Sequence, residues 1–184
     1  DNENNFLILS SFRIIKISVN GELLSDITID DVNILAGSYS EGGNINLTND
    51  GGIIITGKSL VGSYYKAFAI KFDSGGNIEW NNLYYPEYEG TIGYDIIQKD
   101  DGGYLLVGTH GYLGNGSGIV IHIDNNGNED YYNNSYNSAA MQIIKSKNDK
   151  AYILTYRSYT VSQGGGKDYY VYKMNGSGYD YGFP

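Results

Sequence analysis

Few side chains in this sequence have types and spacings that could carry chemistry. Asp124, Asn126, Asn128 and Asp130 place oxygen atoms at alternate positions around Gly127, the arrangement a hard cation such as calcium would want. The corresponding turns at Ser18–Gly21, Asp73–Gly76 and Asn175–Gly178 do not repeat that set of carboxylates, so a plain hairpin turn is the favoured reading and calcium the weaker one. Glu87, Glu89 and Asp95 cluster in sequence, and two carboxylates held ~5–9 Å apart are what glycoside hydrolysis requires. Of the only two histidines, His122 stands in the lysine slot of the repeat described below and reads as a structural substitution, while His110 opens a long loop and could be a ligand or base, with no partner visible in the sequence. Arg13 and Arg157 are the only arginines, too few for the three-arginine cluster of a sialidase. With no cysteine, thiol nucleophiles, disulfides and thiolate metal sites are all excluded. Asp50-Gly51-Gly52 and Asp101-Gly102-Gly103 could be taken for phosphate cradles, but no helical pattern follows either, so each reads as a tight turn. No catalytic residue and no cofactor emerge.

The elements that must position these groups repeat. An apolar strand ending in Lys or His, with a glycine five residues on, occurs at Lys16/Gly21, Lys71/Gly76, His122/Gly127 and Lys173/Gly178. Its spacings are 55 (16 to 71), 51 (71 to 122) and 51 (122 to 173). The Asp-Gly-Gly marker recurs from 50 to 101 and degenerates at Asn148-Asp149-Lys150. Within a repeat the periodicity is that of strands, which predicts propeller-type blades rather than a helical solenoid. Twenty tyrosines and twenty-six glycines lean the same way, towards half-buried strands and tight turns.

The best copy reads as strands Tyr94–Lys99, Tyr104–Thr109, Ile119–Ile123 and Glu129–Asn133, labelled a to d. The preceding copy gives Ile45–Thr48, Ile53–Gly57, Ala67–Phe72 and Ile78–Leu83, and the following one Met141–Lys145, Ala151–Tyr156, Tyr169–Met174 and Tyr179–Phe183. Phe6–Leu9, Phe12–Ile17 and Leu23–Ile29 supply strands b, c and d of a first blade without its strand a. The expectation is an all-β, β-propeller-like array of four-stranded antiparallel blades: a partial blade at 1–30 and blades near 31–85, 86–136 and 137–184, together one domain. An open first blade leaves apolar faces and unpaired backbone, so it is expected to be completed by further chain, ring closure or a second protomer.

Asp101-Gly102-Gly103-Tyr104-Leu105-Leu106-Val107-Gly108 and the run from Ile70 to Trp80 resemble the tandem repeats of prokaryotic surface-exported β-propellers, in which "DGGY-apolar-G" is followed by "K-apolar-D-x-x-G-x-x-x-W". The resemblance covers about residues 44–184 and extends to quinoprotein-like and kelch-like blades. Tryptophan stands only at Trp80, with Tyr131 and Gly182 at the later positions. The resemblance implies blade architecture and an extracellular or cell-surface setting, with roles in adhesion or binding.

In such an array the b–c and d–a connections share one side. Here they are Ser59–Tyr64, His110–Gly118 and Ser158–Lys167, with Asp30–Gly43, Tyr84–Thr91 and Asn133–Ser138. They carry Tyr39, Tyr84, Tyr85, Tyr88, Tyr112, Tyr136 and Tyr159, which would either cap the blades or form an amphipathic surface for a glycan or protein. Asn115, Asn133 and Asn175 lie in sequons suited to glycosylation of an exported chain, whereas Asn46 falls on an inner strand. A net charge of −9 without a basic stripe argues against nucleic acid, and no apolar run reaches the ~20 residues of a membrane helix. The function expected is a non-enzymatic scaffold or binding module that self-assembles through its incomplete first blade, with a glycan-active enzyme as the alternative.

Overall fold

The computed structural model describes residues 5–10, 13–29, 40–84, 90–111, 117–135, 138–146, 152–158 and 169–174. All its regular structure is antiparallel sheet. Strands β1 (Phe6–Ser10), β2 (Arg13–Ile17) and β3 (Leu23–Thr28) form the first sheet. β4 (Ser40–Leu47), β5 (Ile53–Val61), β6 (Tyr64–Phe72) and β7 (Ile78–Tyr84) form the second. β8 (Thr91–Gln98), β9 (Tyr104–His110), β10 (Ser117–Ile123) and β11 (Glu129–Ser135) form the third, and β12 (Ser138–Lys145), β13 (Tyr152–Ser158) and β14 (Tyr169–Met174) the fourth. Each sheet is a meander, its strands neighbouring in chain order. The expected strand Tyr179–Phe183 lies outside the described residues.

Turn chemistry sets these hairpins. After strand c, the Asp73 carboxylate accepts hydrogen bonds from the Gly75 and Asn77 amides, and Asp124 does the same for Asn126 and Asn128. In the first sheet the Ser18 hydroxyl takes that role for Asn20 and Glu22. Gly21, Gly76 and Gly127 close the three turns at φ of 84°, 86° and 88°, where an L side chain is strained. Just beyond each turn the register slips by one residue, at Lys16/Ile17, Lys71/Phe72 and His122/Ile123, so the irregularity repeats with the sequence.

The core consists of three layers between consecutive sheets. Ile14 and Ile29, with Leu7 and Leu9, meet Ile53, Ile55, Phe68, Ile70 and Phe72 between the first and second sheets. Ile54, Ala67 and Ala69 meet Ile96, Leu106, Ile119 and Ile121 between the second and third. Leu105, Val107 and Val120 meet Ala140, Ile143 and Met174 between the third and fourth. Successive residues along β5, β6, β9 and β10 therefore enter different layers, which is why these strands read as continuous apolar runs rather than as alternation. Among the described residues no core layer joins the first sheet to the fourth.

One expected loop is not a loop. Ser59–Tyr64 was to be a long b–c connection, yet β5 and β6 each run nine residues and turn on Gly62-Ser63, pairing Val61 with Tyr64. Lys66, Tyr65 and Tyr64 continue the ladder opposite Ser59, Leu60 and Val61, and Gly62 at φ 64° permits the two-residue turn.

Candidate functional site

The Asp-Gly-Gly turns carry the most densely bonded charges. In the second sheet, Asp50 caps the turn by accepting from the Gly52 amide and the Thr48 hydroxyl. Its other oxygen accepts from Lys71, whose ammonium also donates to Glu79 (2.6 Å) and to the Phe72 carbonyl (2.9 Å). Lys71 is buried while the two carboxylates stay half in solvent. The hydrogen bonds from Lys71, Thr48 and Gly52 outweigh desolvation and hold the Asp50 carboxyl down at about 2. The second glycine is obligatory for packing: a Cβ on Gly52 would lie 2.1 Å from the Phe72 carbonyl oxygen and 2.8 Å from the Lys71 ammonium.

The third sheet builds the same site from the opposite strand. His122 takes the place of Lys71 and is buried, while Lys99 takes the place of Thr48. Lys99 donates to Asp101 (3.0 Å), which also caps the Gly103 amide, and a Cβ on Gly103 would lie 3.1 Å from the Lys99 ammonium. One buried cation thus sits over the second glycine in both of these repeats, supplied by strand c in the first of them and strand a in the next. This bears out the tight-turn reading of both Asp-Gly-Gly units and the structural reading of His122, and the exchange explains why histidine is tolerated there.

Asp95 is the second charged centre, and it is not a surface carboxylate. It follows a bulge at Gly93/Asp95 in β8 and is 2% exposed. It accepts from the side-chain amides of Asn44 (2.7 Å) and Asn46 (3.1 Å) in β4, from its neighbour's Ile96 amide (2.8 Å), and from the Ile143 amide in β12 (3.0 Å). Asn46 also donates to the Ile96 carbonyl, so its sequon asparagine is engaged inside. Burial, the largest influence, pushes the Asp95 carboxyl up, and the four N–H donors pull against it. A carboxylate so enclosed cannot serve with Glu87 and Glu89 as a hydrolytic pair facing a substrate; those two glutamates lie outside the described residues.

Of the seven tyrosines expected on the long-connection side, Tyr84 is described and is corrected. It is buried, and its hydroxyl donates to the Gly127 carbonyl of the next sheet at 2.7 Å, alongside the Asn82 amide at 2.8 Å. Burial raises its pKa well above the ordinary tyrosine range. Tyr84 therefore fastens one sheet to the next rather than offering contact area. Tyr39, Tyr85, Tyr88, Tyr112, Tyr136 and Tyr159 lie outside the described residues, as do Asn115 and Asn175. Asn133 falls inside β11, opposite Val120. The calcium candidate is accounted for by its turn: Asp124 Oδ1 accepts two backbone amides and Oδ2 the Asn128 side chain, geometry that Asp73 reproduces with Asn77. Asn126, Asn128 and Asp130 are exposed beside it. Among the described residues no three His, Cys, Asp or Glu side chains gather as metal ligands. His110 ends β9 opposite Thr91 and Ser117.

Among the described residues, two apolar outer faces and a cleft stand open to solvent. The outer face of the first sheet presents Phe6, Ile8 and Leu23 at 60%, 43% and 65% exposure, and the outer face of the fourth presents Ile144 and Val171. A cleft of about 320 Å³ opens between the first and second sheets, walled by Leu7, Ser25, Ile27, Ile53 and the turn 73–76. Sequence reasoning missed the cleft because its walls come from different repeats. Among the described residues no helix is long and apolar enough to cross a membrane.

No protein-family model matches the chain, and no curated protein is significantly similar to it. Among solved structures it is similar to the crystal structure of an ACO/RPE65 chimera in a monoclinic form, at 12% identity and a TM-score of 0.47. That likeness covers 95% of this chain and 44% of the other, so the chain spans less than half of that protein's length.

Proposed function

We propose that this chain is a non-enzymatic β-propeller-type scaffold or binding module that assembles by stacking further sheets on its end faces. The observation that carries this reading is the contrast between inner and end sheets. Both faces of the second and third sheets are packed in core layers, whereas the same strand chemistry leaves an apolar outer face on the first. There Phe6, Ile17 and Leu23 form one cross-strand row and Ile8, Ile15 and Asp26 the next, with Arg13 paired to Asp26 at the margin. A contiguous apolar row rimmed by an ion pair is the composition of an interaction surface. The first sheet also has three strands, and β1 has an edge to which a strand could add.

The occupant is another sheet of the same kind, from a second copy or from further chain, and the repeat pattern supports a cell-surface or secreted setting. The polar capture of Asp95 supports scaffold over glycan hydrolysis. Light scattering with size separation tests the reading. The native chain should associate with rising concentration, and Phe6→Lys with Leu23→Lys should return it to monomer without loss of thermal stability. Concentration-independent monomer in the native chain would sink it.

A further inference from the structure

The first two layers share one slot beside the c–d turn, and its occupants differ. Where the second sheet meets the third, the slot holds Trp80. Its indole packs edge-on to Tyr104, with ring centroids 5.4 Å apart and planes at 71°. Its face lies on the c–d turn, where a Cβ added to Gly127 would stand 2.6 Å from the indole Cε3. Asn82 and Tyr84 then tie the same glycine by its carbonyl.

The preceding layer has the same backbone and smaller side chains. Register fixes the correspondence: Lys71 pairs with Trp80 as Lys16 pairs with Ser25, and the equivalent of Gly127 is Gly76, at the same φ. Ile53 stands for Tyr104 and Ile27 for Asn82. Ile27 reaches the turn, its Cδ1 2.7 Å from where a Gly76 Cβ would be, but Ser25 leaves the indole position unfilled. The 320 Å³ cleft is that unfilled position. Its volume is at the lower end of small-ligand pockets, ~300–1,000 Å³. Lys16 lines it from the same strand face as Ser25, so an ammonium brought over the face of a bound ring would add a cation–π contact.

We propose that this cleft is a binding site for a small planar aromatic compound of indole size, seated on the Asp73–Gly76 turn with Ser25 beneath it. The proposal is independent of the end-face assembly, since the cleft lies on the opposite side of the first sheet from Phe6 and Leu23. The probe is indole itself, titrated calorimetrically and by methyl NMR into the native chain. Saturable one-site binding is expected, with shifts in the δ-methyls of Ile14, Ile27 and Ile53 and none at Ile96 or Ile119 in the next layer. A saturated ring of equal bulk should bind about threefold weaker or worse, the margin a cation–π contact supplies. Ser25→Trp should weaken indole binding at least tenfold and raise the melting temperature by rebuilding the Trp80 arrangement. Non-saturable titration, methyl shifts in another layer, equal binding of the saturated ring, or unchanged affinity in Ser25→Trp would each overturn the proposal. Should Ser25→Trp fail to fold, Ser25→Phe and the native methyl map decide between the same outcomes.

Discussion

The exchange of a buried lysine between strands gives a prediction whose sign depends on background. Lys71 donates to two half-exposed carboxylates and to the Phe72 carbonyl from a site that is itself buried. Lys71→Met keeps the volume and removes the charge. The carboxylates regain water, so the two charged hydrogen bonds are discounted to ~1 kcal/mol each. The Phe72 carbonyl loses a buried donor at ~1 kcal/mol or more. Together these give ~2–4 kcal/mol, a fall of ~5–12 °C in melting temperature for a chain of this size. Now consider Thr48→Lys, which installs the residue found at Lys99. In the native background it sets a second ammonium over Gly52 and destabilises by ~1 kcal/mol or more. In a Lys71→His background it recreates the third sheet's arrangement and should recover about half of the loss. A double-mutant cycle by denaturant unfolding measures the coupling. If Thr48→Lys has the same sign in both backgrounds, or Lys71→Met changes stability by less than ~0.5 kcal/mol, then the two sites are not equivalent cation sites and the reasoning fails.

The pH dependence follows from the same contact. The native Asp50 carboxyl is held below its unfolded value, so its contribution is present above about pH 4 and lost as pH falls towards about 2. Lys71→Met should flatten that acid limb, as read from melting temperatures between those limits. Gly127→Ala meets Trp80 and Asn82 within 2.9 Å at a φ of 88°, and should cost ~2–4 kcal/mol and redshift the single tryptophan's emission. Asp95→Asn turns an acceptor of four N–H groups into a side chain with donors of its own. It should cost ~2–4 kcal/mol, measured by chemical unfolding. Millimolar calcium should leave the melting temperature unchanged, and Asp124→Ala should lose the same increment with calcium or with chelator, since the carboxylate is committed to its turn.

The strands were legible because their boundaries are written in turn chemistry. Asp-Gly-Gly in two repeats and the Asp/Ser/Asn-x-x-Gly turn after each Lys or His mark the hairpins, and a 51-residue offset carries the second copy onto the third and the third onto the fourth. What sequence could not show lies between repeats. Tyr84 sits in a run of tyrosines that reads as surface, yet its hydroxyl reaches across to Gly127. Asp95 reads as one of a group of acids, and only the bulge beneath it and donors about 50 positions away on either side reveal an interior role. The Lys71-to-Lys99 exchange is similarly hidden, because the two residues occupy different strands and become equivalent only through the glycine they cover. Ser59–Tyr64 reads as a loop because Gly62-Ser63 breaks its short apolar run, but cross-strand pairing carries the hairpin to its tip.

Layers that touch only their chain neighbours would ordinarily melt one at a time from an end. The Asp95 carboxylate breaks that independence, because it takes donors from the first strands of three successive sheets at once. Releasing β12 exposes an anion that β4 also depends on, so damage to the fourth sheet propagates to the second. Hydrogen exchange along these three strands should accordingly fade together, as one cooperative unit, while β1 to β3 open on their own.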